Sequence, residues 1–133
     1  MGDFESMCSE PRTVLVVEDD PDIRELLADF LGEEGYPVVT ASDGLEGLGV
    51  LSHLDRPGLV LLDMRMPVVD GREFVSILRD RGALGSLSVF LISALGDRPI
   101  PGTQGVIPKP IDLTDLLAVV RRTCGEGAFV GRA

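Results

Sequence analysis

Five polar residues stand where apolar stretches of the sequence stop. Glu18 and Asp19 follow TVLVV, Asp63 ends GLVLLD, Ser93 ends LSVFLIS, and Lys109 lies within IPKP. A carboxylate can attack phosphorus as a nucleophile, while a lysine and a hydroxyl can bind phosphoryl oxygens by charge and by hydrogen bonding. Clustered carboxylates also suit Mg²⁺, which binds one or two of them and keeps several waters. These residue types indicate Mg²⁺-assisted phosphoryl chemistry if the fold brings them together.

The elements that must position these residues alternate between strand and helix. Short β-branched apolar runs are each followed by a stretch with apolar residues at helical spacing. This alternation predicts an α/β fold with a parallel sheet, covered by helices on both faces because crossover connections are right-handed. The predicted strands are 13–18, 37–41, 58–63, 87–93 and 105–107, and the predicted helices are 21–35, 42–54, 72–82 and 112–125.

In an open parallel sheet, reactive groups collect beyond the carboxyl ends of the strands, where the strand order reverses. The five polar residues all fall at this predicted edge. If the first and third strands are neighbours, the carboxylates of Glu18, Asp19 and Asp63 lie within several ångströms of one another. Each close pair then repels by up to ~4 kcal/mol at an effective dielectric constant near 20. A cation is therefore expected at this edge.

Composition sets limits on the class of protein. A chain of 133 residues with 44% hydrophobic residues fits one packed domain, expected over 12–125 with tails at 1–11 and 126–133. The formal net charge of −10 argues against nucleic acid or an anionic membrane as a partner, since both favour clustered Lys and Arg. The N-terminus lacks the apolar core of a signal peptide, so a cytoplasmic location is expected.

Four motifs in order resemble the receiver domains of two-component response regulators. They are VLVVEDDPDIRELL, LVLLDMRMPVVDG, FLISA and IPKP, within a match over roughly Thr13 to Cys124. The resemblance implies a flavodoxin-like sheet of five parallel strands in the order 2-1-3-4-5. It also implies a phosphoryl-accepting signalling domain that acts through protein–protein interaction. The partners implied are a sensor histidine kinase or histidine phosphotransfer protein, and a downstream protein that the sequence does not name.

The resemblance also assigns roles to single residues. Asp63 would be the phosphorylated residue. Mg²⁺ would be held by Asp19 and Asp63, by the backbone carbonyl of Arg65, and by Glu18 through water. The resemblance also gives catalytic roles to two further residues.

Those two residues are Ser93 and Lys109, which would engage the phosphoryl oxygens. The Lys109–Pro110 peptide would be cis, an isomer that only an X-Pro bond reaches cheaply. In the family, phosphorylation moves the hydroxyl residue inward, and an aromatic residue on the fifth strand turns with it. The corresponding switch positions here are Ser93 and Val106, and Val106 has no ring to turn.

The interval between Ser93 and Lys109 is a second departure from the family, because it is shorter than the family norm. It spans sixteen positions and contains ALGDRPIPGTQG. Pro99 and Pro101 would each cost ~3 kcal/mol inside a helix, and each glycine about 1 kcal/mol. We therefore predict that the fourth helix, which joins the fourth and fifth strands in the family, is missing or very short.

Three functions remain open from the sequence. The acidic site favours a phosphorylatable receiver, which catalyses at most its own phosphorylation and dephosphorylation and is not otherwise an enzyme. Val106 and the missing helix favour an unphosphorylated pseudo-receiver that acts as a constitutive docking module. A phosphatase with an aspartate nucleophile would resemble a pattern with a second Asp two positions after Asp63, where this sequence has Arg65.

Overall fold

Five parallel strands form one sheet in the order β2-β1-β3-β4-β5. The computed structural model describes residues 12–55, 57–94 and 98–126, and four α-helices lie within those ranges. The strands are β1 (Thr13–Val17), β2 (Val38–Ala41), β3 (Pro57–Asp63), β4 (Ser88–Ser93) and β5 (Gly105–Pro108). The helices are α1 (Pro21–Glu33), α2 (Gly44–Leu51), α3 (Gly71–Asp80) and α4 (Leu113–Cys124), with a 3₁₀ turn at Leu84–Ser86.

The predicted α/β fold and strand order are confirmed. β1 pairs with both β2 and β3, and β3 pairs with β4, so the first and third strands are neighbours. The central strands are apolar on both faces because helices cover both sides, as parallel sheets require. None of the helices in the described ranges is long and apolar enough to cross a membrane.

Two hydrophobic clusters lie on opposite faces of the sheet. Helices α2 and α3 supply Leu48, Phe74 and Leu78 to one cluster. Helices α1 and α4 supply Leu27 and Leu116 to the other. The sheet is thereby fixed between two helical layers, and its carboxyl edge stays at the surface, where α1, α2 and α3 begin.

An aspartate caps each α-helix. Asp20 accepts from the N–H groups of Asp22 and Ile23 at the start of α1, and Asp112 caps α4 in the same way. Asp43 caps α2, and Asp70 caps α3 within a reciprocal capping box. Such caps satisfy N–H groups that the first helical turn leaves unpaired, so the helix starts are specified locally.

No helix occurs among the described residues between β4 and β5, namely residues 94 and 98–104. This agrees with the predicted loss of the fourth helix. Ile100 packs into the core in this interval, since it is only 6% exposed and belongs to the cluster beneath α2 and α3. Residues Ile100 to Thr103 form a tight turn in which Gly102 has φ +97° and the Thr103 N–H donates to the Ile100 carbonyl at 3.1 Å. Pro101 and Gly102 suit the two central positions of a type II turn.

Hydrogen bonds tie this turn, residues 100–103, to the rest of the domain. The Arg79 guanidinium donates to the Pro101 carbonyl. Gln104 bonds Val89 twice, because its N–H donates to the Val89 carbonyl at 2.8 Å and its side-chain oxygen accepts from the Val89 N–H at 2.8 Å. The turn is therefore bonded to α3 directly and to β4 through Gln104, the residue that follows it. The predicted tails at 1–11 and 126–133 lie outside the described residues except for Glu126.

Replacing Ile100 with alanine should lower the free energy of unfolding by about 2–4 kcal/mol, because it removes a buried side chain and leaves a cavity. Chemical denaturation with equal slopes for both proteins would measure the change. Leu45→Ala is the control, since Leu45 is 61% exposed and its loss should change the unfolding free energy by about 0.5 kcal/mol or less. Equal effects of the two substitutions would show that Ile100 contributes no more to stability than an exposed leucine does.

Candidate functional site

Three carboxylates meet at the carboxyl edge of the sheet. Each of Glu18, Asp19 and Asp63 offers one oxygen, and these oxygens all lie within 4.8 Å of one another. Glu18 is 1% exposed and Asp63 is 3% exposed, whereas Asp19 faces solvent. The expected meeting of the first and third strand ends therefore produces a compact acidic cluster, open to solvent on the Asp19 side.

The end of β1 and the start of α1 hold Glu18 by its backbone and its side chain. The Glu18 N–H donates to the Ala41 carbonyl at 3.1 Å, which continues the pairing with β2. Its carbonyl accepts from Nη1 of Arg24 at 2.9 Å, and its Oε2 accepts from the Asp20 N–H at 3.2 Å. The segment 18–20 between β1 and α1, the acidic turn, is thus held by hydrogen bonds on both sides of Glu18.

Asp63 occupies the last paired position of β3, opposite Ile92. The next residue, Met64, donates its N–H to the Ile92 carbonyl at 3.0 Å, so the strand stays attached to β4 beyond the carboxylate. Oδ1 of Asp63 accepts from the Arg65 N–H at 3.2 Å and from Nζ of Lys109 at 3.3 Å. The Asp63 carboxylate is therefore buried and paired with the Lys109 ammonium group. It lies at the end of β3, which is hydrogen-bonded to β1 on one side and to β4 on the other.

Lys109 joins the acidic cluster to the end of β4. Its Nζ lies 3.3 Å from Asp63 Oδ1 and 3.9 Å from Glu18 Oε1. Its N–H donates to the Ser93 carbonyl at 2.8 Å, and the Lys109–Pro110 peptide is cis. Ser93 is buried, and its hydroxyl donates to the Ala94 carbonyl at 3.0 Å. The structure thus gathers the three carboxylates within 4.8 Å of one another, with Lys109 close to Asp63 and Glu18 and with Ser93 at the same edge.

Burial makes Glu18 an unusual acid. Removal from water raises the pKa of Glu18 to about 8, and the neighbouring Asp63 acts in the same direction, while the Asp20 N–H and Lys109 lower it. Oε1 of Glu18 has no hydrogen-bond partner among the described residues. A buried carboxylate oxygen without a donor, beside two further carboxylates, is the donor set that fits a hard divalent cation.

The family model for the response regulator receiver domain matches residues 14–121. The chain belongs to the response regulator receiver domain family. This places it in two-component signalling and agrees with the resemblance seen in the four motifs. The acidic cluster of this receiver domain occupies the strand ends that the motifs identified.

Named relatives support this assignment. The receiver domain is 37% identical over 138 residues to the transcriptional regulatory protein AruR of Pseudomonas aeruginosa, covering 96% of this chain and 56% of AruR. It is 37% identical to the response regulator Rre1 of Synechocystis over 121 residues, covering 85% of this chain and 52% of Rre1. The chain therefore spans about half the length of these relatives. Because one of them is named a transcriptional regulator, the expectation of no nucleic-acid partner finds no support.

Solved structures resemble the receiver domain closely. A response regulator receiver protein from Pseudomonas putida superposes with a TM-score of 0.76 at 28% identity, covering 86% of this chain and 98% of that one. The response regulator TrrA from Thermotoga maritima, solved in complex with Mg²⁺-BeF, gives a TM-score of 0.73 at 30% identity, with 84% and 97% covered. The second structure carries Mg²⁺ on a domain with the same fold.

The structure also shows where the two remaining predicted residues lie. Arg65 is exposed, two residues beyond Asp63. Val106 pairs with Leu91 and packs, half-buried, against the cluster that contains Ile100. It therefore occupies the predicted switch position as a small apolar side chain.

Two features at this edge escaped the sequence reasoning. Arg24 binds the Glu18 carbonyl, and its one signal in the sequence is that it is the only basic residue of an acidic helix. Val68 has φ +71°, a conformation that costs a β-branched residue of order 1–3 kcal/mol. The Val69 N–H donates to the Pro67 carbonyl at 2.9 Å across this turn. A strained turn thus lies five residues beyond Asp63.

Glu18→Gln should remove a pH-dependent loss of stability in metal-free buffer. The pKa of Glu18 is 4.5 ordinarily and about 8 in the folded protein, so the folded state binds the proton more tightly. The stability that protonated Glu18 contributes is fully present below pH 4.5 and is lost as the pH rises toward 8. From pH 5 to pH 8 in EDTA, the free energy of unfolding of the wild type should fall by on the order of 2–4 kcal/mol more than that of the variant. Urea unfolding at each pH measures this difference.

Glu25→Gln on the exposed side of α1 is the matched control and should follow the wild type. An identical pH slope for wild type and Glu18→Gln would show that Glu18 titrates normally in the folded domain.

Proposed function

We propose that this receiver domain accepts a phosphoryl group on Asp63 from the phosphohistidine of a sensor histidine kinase or a histidine phosphotransfer protein. The observation that carries the proposal is the contact of buried Asp63 with Lys109 at 3.3 Å, inside the carboxylate cluster. A carboxylate on a rigid strand tip is held in one orientation for in-line attack, which lowers the entropic cost of reaching the transition state.

In the transfer, a carboxylate oxygen of Asp63 forms a bond to phosphorus as the phosphorus–nitrogen bond of the donor breaks. The electron pair of the broken bond remains on the imidazole nitrogen of the donor. Lys109 would exchange part of its contact with Asp63 for the new phosphoryl oxygens. The Ser93 hydroxyl would turn from the Ala94 carbonyl to donate to another of these oxygens.

Mg²⁺ belongs to the proposal. Asp19 and Asp63 would hold it directly, with the Arg65 carbonyl, and Glu18 would hold it through water. The bound ion would neutralise charge on the phosphoryl oxygens. The buried Glu18 oxygen without a hydrogen-bond donor supports such an assignment, as does the Mg²⁺-BeF complex of the TrrA relative.

The domain would act as a signalling switch rather than as an enzyme with an external substrate, and a cytoplasmic location is part of the same proposal. Its output would pass to a protein partner or to further domains of a longer protein, since the chain spans about half of relatives such as AruR. AruR is named a transcriptional regulator, so an output at DNA through such a further domain is included.

A pseudo-receiver is the second candidate, and two observations favour it. Val106 offers no ring at the switch position, and the turn at 100–103 lies in the interval where the family has its fourth helix. This turn is packed through Ile100 and hydrogen-bonded to Arg79. In that reading the domain would bind its partner without phosphorylation. The two candidates differ in whether Asp63 is ever modified.

Intact mass after incubation with acetyl phosphate separates them. We expect the mass to increase by one phosphoryl group with Mg²⁺ present, with little increase in EDTA and none in Asp63→Asn. Asp29→Asn is the matched control, because Asp29 is exposed on α1 and away from the cluster, and it should be modified like the wild type.

Circular dichroism of Asp63→Asn would establish that the variant is folded, so that absence of modification reflects the missing carboxylate. No mass increase in the folded wild type would overturn the proposal in favour of a pseudo-receiver. Modification of Asp63→Asn would place the acceptor elsewhere.

A further inference from the structure

The Arg24 side chain reaches back from the second turn of α1 to the end of β1. Its Nη1 lies 2.9 Å from the Glu18 carbonyl oxygen, six residues earlier in the chain. We propose that Arg24 is a positioning residue for the metal site, acting through the backbone of Glu18. This inference rests on the proposed function, because it concerns the Mg²⁺ affinity of the same acidic cluster.

The first support is how completely the Glu18 peptide groups are held. The N–H on one side is bonded to Ala41 at 3.1 Å, and the carbonyl on the other side is bonded to Arg24. That carbonyl belongs to the peptide that links Glu18 to Asp19. Its orientation therefore sets the direction in which the two acidic side chains leave the chain, and Arg24 is the group that fixes it.

The second support is that the Arg24 guanidinium forms no ion pair within residues 12–55, 57–94 and 98–126. No carboxylate oxygen of those residues lies within 4.0 Å of it, although α1 also contains Asp22, Glu25, Asp29 and Glu33. Arg24 has acidic neighbours on its own helix but binds the backbone carbonyl of Glu18 instead. The position of that carbonyl therefore decides where the guanidinium lies. Its planar donor fork suits an acceptor of fixed direction.

The third support is the energetic situation of the acidic turn. Three carboxylates within 4.8 Å repel one another, so the turn between Val17 and Pro21 favours arrangements that move Asp19 or Glu18 away. The Asp20 cap fixes the helix side of this turn, and Arg24 fixes the strand side. Holding the ligands together before the cation arrives reduces the ordering cost of binding, and groups that orient metal ligands are typically worth about 10–100-fold in affinity.

Isothermal titration with Mg²⁺ tests the inference on the unphosphorylated domain. The variants are Arg24→Ala and Arg24→Gln, which lack the guanidinium, and Arg24→Lys, which keeps the charge and N–H donors but loses the planar donor fork. Arg72→Ala on the exposed side of α3 is the matched control. We expect Kd for Mg²⁺ to rise about tenfold in the alanine and glutamine variants, to rise less in Arg24→Lys, and to stay at the wild-type value in Arg72→Ala.

A phosphorylation assay at saturating Mg²⁺ supplies the second readout. If Arg24 acts by positioning the metal ligands, the rate with acetyl phosphate recovers to within about twofold of the wild type once the site is filled. A merely structural arginine would lower the melting temperature in EDTA and leave Kd for Mg²⁺ unchanged.

The outcomes separate this inference from the proposed function. If the wild type binds no Mg²⁺, the proposed function fails. If the wild type binds Mg²⁺ and a folded variant without the guanidinium binds it within twofold of the wild type, only the role of Arg24 fails. Should Arg24→Ala not fold, Arg24→Gln decides, because its amide keeps most of the side chain's packing.

Discussion

The structure depends on holding like charges together at one edge of a sheet. Parallel strands end at the same edge, so acidic residues at the ends of β1 and β3 must meet. Their mutual repulsion is offset by Lys109, by N–H donors from the adjoining turns and by the proton that burial favours on Glu18. Both strands are anchored beyond their acidic ends, so the sheet can resist the repulsion that it creates.

Much of this arrangement could be predicted because the signals are local. Strand ends were visible where apolar runs stop at Asp63 and Ser93, and the helical spacing predicted a helix from residue 21, where α1 begins. That residues 94 and 98–104 form no helix was predicted from the helix cost of Pro99, of Pro101 and of the glycines between Ser93 and Lys109. The position of the acidic edge needed one further step, the strand order, which the family resemblance supplied.

The features that sequence could not supply arise from contacts between distant residues. No pattern says that the Gln104 side chain will bond Val89 in place of a backbone group. The depth of Ile100 depends on the space left between α3 and the sheet, and a single apolar residue between prolines does not reveal it. The positive φ of Val68 is contrary to the backbone preference of valine. It could not be predicted from the local sequence, because the surrounding turn imposes it.

The ends of the sheet have a consequence for how copies of the domain or partners can associate. The edge strands β2 and β5 are four residues each, and Pro37 precedes one while Pro108 ends the other. Short edges bordered by proline offer few free backbone groups for another chain to pair with, which is how natural sheets limit aggregation through their edges. Recognition must then come mainly from side chains and loops, whose chemistry can diverge between related domains while the sheet stays the same.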